Sequence, residues 1–563
     1  MKKLFTILSL LVFSTMVSTA QNEKIVKFYD TKVGSGYHSI GSDFGFIGDT
    51  LMLFQMWSDE CGYELWRTNG TSVGTYMLKD INPTFDSYGD PLYSSPEYFS
   101  RFNNEVYFRA TDGEHGYELW KTDGTEEGTV MVKDIYPGAA GSMNPTSSTH
   151  FVEYNGELYF AAKAGNDTGL ELWKTDGTEE GTVQVKDIYL EDGKSSNPSG
   201  FVVFNDLLFF TAETSSYYPE IWYTDGTIGS AFRLSELPKE QTPKAKDLMV
   251  FNGMLIFKGE LDNGLEFWKT DGTSEGTEEI KDINPGVYAG APSDELPVEL
   301  NGYLYFRGSS ADGYELWKTD GTTDGTLMVK DINPGMNGSS PYSSSPTFLC
   351  VFDNKVFFAA RNEDSGTQLW ASDGTEAGTL LYYGNSNDGT WNPRNLQVHN
   401  NRFYFTINTS AFGQPYLYSI GTSSETPVAH QPKDFTFKTY ERTYGSFFRL
   451  NNTLCFQAEL EENTGFELYK LEKEDVTGIS EVEDAGFNVY PNPTTDFVRI
   501  DFVNNQNNTV YYAVYDIEGK LVSQQEKVIS GTLKIDFSGF NKGVYLVKIT
   551  TNSKTYSKTV VCK

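Results

Sequence analysis

Over most of the chain, apolar and polar residues alternate in short runs, and no stretch carries the 3.6-residue periodicity of a helix. FVEYNGELYFAA (151–162) is typical, with two alternating runs broken by Asn155-Gly156. Period-two alternation marks strands with one face buried. Two-residue loops of Asn, Asp and Gly fit the positive φ of tight hairpin turns. Nine such pairs occur, at Gly48-Asp49, Asn103-Asn104, Asn155-Gly156, Asn205-Asp206, Asn252-Gly253, Asn301-Gly302, Asp353-Asn354, Asn400-Asn401 and Asn451-Asn452.

Each hairpin precedes by 16–18 residues a second repeated string, clearest as YELWKTDGTEEGTVMVKDIYPG (117–138). Its tryptophan recurs at Trp66, Trp120, Trp173, Trp222, Trp268, Trp317 and Trp370, with Tyr418 and Tyr469 in two weaker copies, at intervals of 46–54 residues. The unit therefore reads strand, tight turn, strand, variable loop, strand ELWKT, turn DGTxxGT, strand VMVKDI. Four antiparallel strands in about fifty residues make one blade of a β-propeller. The ninth copy lacks a VKDI strand, while KIVKFYD (24–30) has one and no strands before it. The predicted fold is thus all-β, a single closed ring of nine blades in which Ile25–Tyr29 supplies the last outer strand. Because copies eight and nine are degenerate, eight blades or two smaller rings are the alternatives.

The ends differ from the body. MKKLFTILSLLVFSTMVSTA (1–20) has a basic start, an apolar middle and small residues before a cut between Ala20 and Gln21, the pattern of a secretory signal peptide. No later run is apolar enough to span a bilayer as a helix. The formal net charge is −33; removing the +3 of residues 485–563 and the +2 of Lys2 and Lys3 leaves −38 on residues 21–484. That step, behind the acidic linker 473–486, marks a domain boundary. Residues 487–563 then alternate through FVRIDF, TVYYAVYDI, LKIDF and GVYLVKIT, a small antiparallel, Ig-like sandwich. An acidic body of this kind excludes a phosphate-backbone binder, so nucleic acid is not an expected partner.

The pieces NVYPNPTTDFVRID, VYDIEGKLV, FSGFNKGVYLVKI and the tail VVCK resemble the carboxy-terminal sorting domain of the type IX secretion system of Bacteroidetes, with Tyr490, Pro491, Asn492, Pro493, Gly519, Gly543 and Tyr545 at its signature positions. The resemblance implies handling by the type IX machinery, export across both membranes, and anchoring to surface lipopolysaccharide or release. Residues ~25–470 resemble the ELWxTDGTxxGT-repeat proteins, sometimes labelled hyalin-like. That second resemblance brings no settled activity.

Repeated residues are candidates for architecture before chemistry. The turn aspartates Asp123, Asp176, Asp225, Asp271, Asp320 and Asp373 are read either as calcium ligands or as Asx turns. One carboxylate per turn is few for an ion that takes six to eight oxygens, so the Asx turn is favoured and no metal or other cofactor is expected. The glutamates two before each tryptophan (Glu64, Glu118, Glu171, Glu220, Glu266, Glu315, and Glu467 before Tyr469) and the lysines 13 after it (Lys79, Lys133, Lys186, Lys281, Lys330) are read as cross-strand ion pairs. No unique acid, base and nucleophile break the repeat, and no catalytic residue is assigned. What varies is one rim of the ring, made by the second-to-third-strand loops and the blade connections. Its aromatics Tyr88, Tyr93, Tyr217, Tyr218, Tyr288, Tyr342 and Trp391 are the candidate contacts for a glycan or protein ligand. An adhesion or recognition module is favoured over a surface-layer component without a ligand and over a polysaccharide-degrading enzyme.

If residues 485–563 are an export address, deleting them leaves a folded body in the periplasm. Cell fractionation reads the outcome, and full surface display of the truncated chain would refute it.

Overall fold

The computed structural model describes residues 23–29, 40–143, 151–215, 218–235, 242–286, 289–291, 295–362, 366–384, 392–407, 416–430, 443–459, 467–473, 487–490, 494, 496–502, 507–516, 520–530, 532–550 and 555–562. Among these residues the secondary structure is strand and turn, without a helix. Glu23–Glu472 forms one compact unit, and Lys473–Lys563 belongs to another.

In the larger unit, nine four-stranded antiparallel sheets follow one another along the chain, at 40–79, 97–133, 152–186, 199–233, 244–281, 298–330, 347–383, 393–430 and 443–473. The first eight run in sequence order, each strand pairing with the next. The ninth takes three strands from its own segment, and its fourth is Glu23–Tyr29, laid beside Glu467–Lys473. Lys27 Nζ reaches Glu467 Oε1 at 3.1 Å across this pair, 440 residues apart in sequence. The tight turns form where the sequence places them because Asn and Gly accept φ near +50 to +80°, as at Asn155 (52°) and Gly156 (78°).

No sheet has a core of its own. The buried apolar side chains gather into clusters that each join two consecutive sheets. In the seam between the second and third, Leu119, Val132 and Ile135 meet Leu158, Phe160 and Trp173. Trp120, Trp222, Trp317 and Trp370 occupy the same place in other seams. The ninth sheet meets the eighth through Ile25, Leu454 and Phe456 against Tyr404 and Leu417. It meets the first through Phe28, Phe448 and Leu468 against Ile40, Met52 and Phe54. Asn451, in the ninth hairpin turn, donates from N to Asp49 O and from Nδ2 to Asn69 O, both at 2.7 Å.

A feature that sequence alternation does not show is a bulge in the first strand of most sheets, where register shifts between Glu97 and Ser100, Ser199 and Val202, Lys246 and Met249, and Thr347 and Cys350. Tyr98, Asp247 and Phe348 hold φ of 59°, 56° and 57° there, values uncommon for residues with a Cβ.

The smaller unit pairs Phe487–Tyr490, Phe497–Phe502 and Thr532–Asp536 in one sheet and Asn507–Tyr515, Leu521–Ser530, Gly543–Thr550 and Thr555–Cys562 in another. Val498, Ile500, Leu533 and Ile535 from the first share a core with Val514, Val547, Ile549 and Val560 from the second.

Ile25 is fully buried, so Ile25→Ala removes about 2–5 kcal/mol of packing from the last seam. The expected result is earlier melting, with association through the loosened outer strand seen by light scattering. Unchanged melting and a monomer would show that Glu23–Tyr29 does not hold the ninth sheet together.

Candidate functional site

The repeated turn residues hold one another and the neighbouring sheet. Asp123 Oδ1 accepts hydrogen bonds from Thr125 N (2.9 Å) and Thr125 Oγ1 (2.7 Å). Asp176, Asp271, Asp320 and Asp373 repeat both bonds. Asp225 accepts from Thr227 N and from Ser230 Oγ. These donors pull each of the six carboxyls below its usual pKa. Among the described residues, no group of three or more His, Cys, Asp or Glu stands close enough to share a metal ion. In several turns the glycine after the Asp sits close over the preceding sheet: a Cβ on Gly177 (φ 95°) would lie 2.3 Å from Tyr107 Oη, and one on Gly374 (φ 88°) 2.1 Å from Tyr305 Oη. The turns are thus docking points between sheets.

The expected glutamate–lysine ion pairs do not form in most sheets, and this corrects the sequence reading. Between Leu119 and Trp120 the third-to-fourth-strand register slips by one residue, bringing Lys133 opposite Leu119. Lys133 Nζ donates instead to Thr182 O of the next sheet at 2.9 Å. Lys79, Lys281 and Lys330 do the same to Thr129 O, Thr326 O and Thr379 O, and Lys186 to Ala231 O. In the fourth sheet, whose third-to-fourth-strand register is unbroken, Arg233 does reach Glu220, at 3.2 Å.

The glutamates are buried clamps. Glu118 accepts from Ile135 N (3.1 Å), Ser142 N (2.9 Å) and Ser142 Oγ (2.6 Å), so it ties the end of its own sheet to the segment leading to the next. Glu64 binds Ile81 and Ser94, Glu171 binds Ile188 and Ser196, and Glu315 binds Ile332 and Ser344 in the same way. Glu266 uses Ile283 N and Gly290 N. A serine recurring before the next hairpin was the sequence signal for this clamp. Burial outweighs these donors and pushes the carboxyls up, Glu64, Glu118 and Glu315 to about 7 and Glu266 to about 8. With side chains wholly or almost wholly enclosed, these raised carboxyls serve structure and do not face a ligand.

The loops that differ from sheet to sheet carry several exposed rings. Residues 84–92 fold into a small hairpin with an isolated bridge between Phe85 and Pro91 and a bond from Leu92 N to Thr84 O. Asp86 Oδ1 fixes its tip by accepting from Tyr88 N (2.8 Å) and Asp90 N (2.9 Å). Phe85, Tyr88 and Tyr93 are 61%, 90% and 46% exposed. Behind them Tyr93 meets Tyr63 edge-on at 6.3 Å, and Tyr63 meets Trp57 at 5.0 Å. The structure therefore brings Tyr88 onto this hairpin with Tyr93 directly after it, and adds Phe85, which the sequence reading passed over. Tyr342 is half-buried on a similar hairpin, Met336–Asn337 against Ser340–Pro341. Tyr218 is half-buried, and its hydroxyl donates to Thr242 O at 2.6 Å. Tyr217, Tyr288 and Trp391 lie outside the described residues, as do Ala20, Gln21, Pro491, Asn492, Pro493 and Gly519. Tyr490 ends the strand Phe487–Tyr490. Gly543 opens the strand Gly543–Thr550, and Tyr545 is buried in the core of the smaller unit.

Residues 488–563 match the family described as the secretion system C-terminal sorting domain. A tail of this kind indicates handling by the type IX secretion machinery and export to the cell surface or the extracellular space. No curated protein matches the chain. Solved structures similar to it include puromycin hydrolase (13% identity, TM-score 0.33, 68% of this chain and 58% of that one). Others are a structure from a study of two prolyl endopeptidases (12%, 0.34, 66% and 55%) and oligopeptidase B from Leishmania major (10%, 0.35, 66% and 54%). The chain spans less than three-fifths of the length of each.

The clamps make stability depend on pH in a defined direction. A carboxyl whose pKa is higher when folded gains stability as pH falls from about 8 through its folded pKa to its unfolded value of 4.5. The turn aspartates, depressed when folded, lose theirs only below 3.8. The melting temperature should therefore rise from pH 8 to a maximum between about 4 and 5, then fall. Glu118→Gln should make the rise shallower. A melting temperature that falls steadily from pH 8 to pH 5 would refute the raised carboxyls.

Proposed function

We propose that the chain is an exported cell-surface or secreted binding protein. In this reading residues 1–20 are a removed signal peptide and 21–472 a closed nine-bladed β-propeller. Residues 473–486 are the linker, and 487–563 an Ig-like sandwich read by the type IX machinery. The propeller binds a glycan or protein ligand through its variable rim. Nine inter-sheet clusters, the last joining the ninth sheet to the first, support the closed ring. The observation that carries the binding reading is the hairpin 84–92. Its Asp86-centred bonds hold Phe85 and Tyr88 in water on a rigid base, an arrangement with no packing purpose inside the unit. Rings presented in this way, with hydroxyl and carboxylate neighbours, suit a sugar face or a protein surface.

Binding of the mature chain to an array of glycans and surface proteins, followed by isotherms, tests the reading. Phe85→Ala with Tyr88→Ala should weaken binding tenfold or more and leave melting unchanged, since both rings are solvent-exposed. Asp176→Ala should lower stability by about 1 kcal/mol, read as earlier melting, and leave binding intact. The reverse pattern, binding lost with the turn and kept without the rings, would assign the ligand to the opposite rim.

A further inference from the structure

One slot in the second strand of each sheet differs in its occupants: Gln55, Arg109, Ala161, Thr211, Lys258, Arg307, Ala359, Thr406 and Gln457 each follow the phenylalanine that pairs with the repeat tryptophan or tyrosine. Where the occupant is cationic, two of three cases are settled internally. Arg109 is buried, ion-paired with Glu97 at 2.7 Å, bonded to Met143 O, and 4.1 Å from the centre of the Tyr117 ring. Lys258 is buried and paired with Asp247 at 2.8 Å. Thr211 and Thr406 likewise bond to Ser199 and to Arg394 O.

Arg307 differs. Its guanidinium lies 5.8 Å from the centre of the Tyr314 ring, the counterpart of Tyr117. Its Nε is buried with no hydrogen-bond partner, as is that of Arg109, but among the described residues Arg307 has no counterpart of the Arg109–Glu97 ion pair. Glu295 stands at the sequence position of Glu97, but its Oε2 accepts Phe348 N of the seventh sheet at 2.9 Å. Among the described residues, Tyr314 and Phe348 are each 40% exposed, and Tyr342 lies on the hairpin beside Gly313. The opposite rim carries exposed acids at most of its turns, Asp123 with Glu126 and Glu127 among them. Of the three cations in this slot, Arg307 alone has no carboxylate partner among the described residues, which leaves its guanidinium for a single external anionic group.

We infer that Arg307 is the anion-receiving point of the variable rim and takes the carboxylate or sulfate-ester group of an acidic glycan. A planar guanidinium binds such oxyanions through paired N–H donors, and the neighbouring rings supply faces for the attached sugar. The inference rests on the variable rim being the binding face.

The test uses the mature chain and three oligosaccharide probes of equal length: galacturonate, sulfated galactose and neutral galactose. The expected result is salt-sensitive binding of one anionic probe, at least tenfold tighter than the neutral one. Preference for galacturonate or for sulfated galactose identifies the anion. Arg307→Gln should abolish that preference while melting stays unchanged, because no internal ion pair is lost. Arg307→Lys should keep part of it. Arg109→Gln, which strips an internal pair, should lower melting. Equal binding of all three probes, binding of none, or earlier melting of Arg307→Gln as in Arg109→Gln would overturn the inference. The hairpin variants Phe85→Ala and Tyr88→Ala are read separately. If they bind normally while Arg307→Gln does not, the hairpin reading fails and the anion site stands.

Discussion

Everything in the larger unit depends on the seam between neighbouring sheets. A four-stranded sheet buries too little by itself, and here each sheet gives both faces to its neighbours. Leu119 and Trp120, adjacent on one strand, belong to different clusters, one reaching toward the third sheet and the other toward the first. Such an arrangement leaves two unsatisfied faces unless the last sheet meets the first. The packing of Phe448 and Leu468 on Ile40 and Met52, and the strand borrowed from the amino-terminal segment, meet that requirement.

The motif residues make sense in this frame. Glu118 ties a sheet to the segment that leads onward, Lys133 ties it to the next sheet's turn, and Gly177 lets that turn close over Tyr107. All three act across or along a seam, so the sequence between them is constrained while the loops that take no part in the seams are not. That division leaves room for Phe85, Tyr88 and Arg307 to differ from copy to copy without cost to packing.

Much of the strand layout was legible, because period-two alternation and Asn-Gly turns are local signals whose physics needs no partner. The clamps were not. A glutamate beside an aromatic residue on a strand reads as a surface charge, and only the approach of Ser142 and Ile135 from distant segments makes burial tolerable. The lysine partners were misread because the bulge before Trp120 shifts the register by one residue, and alternation cannot reveal a bulge. Tyr88 was found as an aromatic in a variable loop. Phe85 was missed because nothing in its immediate sequence says that Asp86 will hold the hairpin tip beside it.

The pairing of Lys27 with Glu467 links the first described strand to the last one of its unit. The first eight sheets each form from strands consecutive in sequence, yet the first strand pairs only with a strand some 440 residues away. The leading segment therefore stays an unpaired strand until the ninth sheet forms, which makes closure of that sheet the longest-range step in the unit. A chain cut short anywhere in its last copies would leave that segment without a place, and so expose its own defect to proteases.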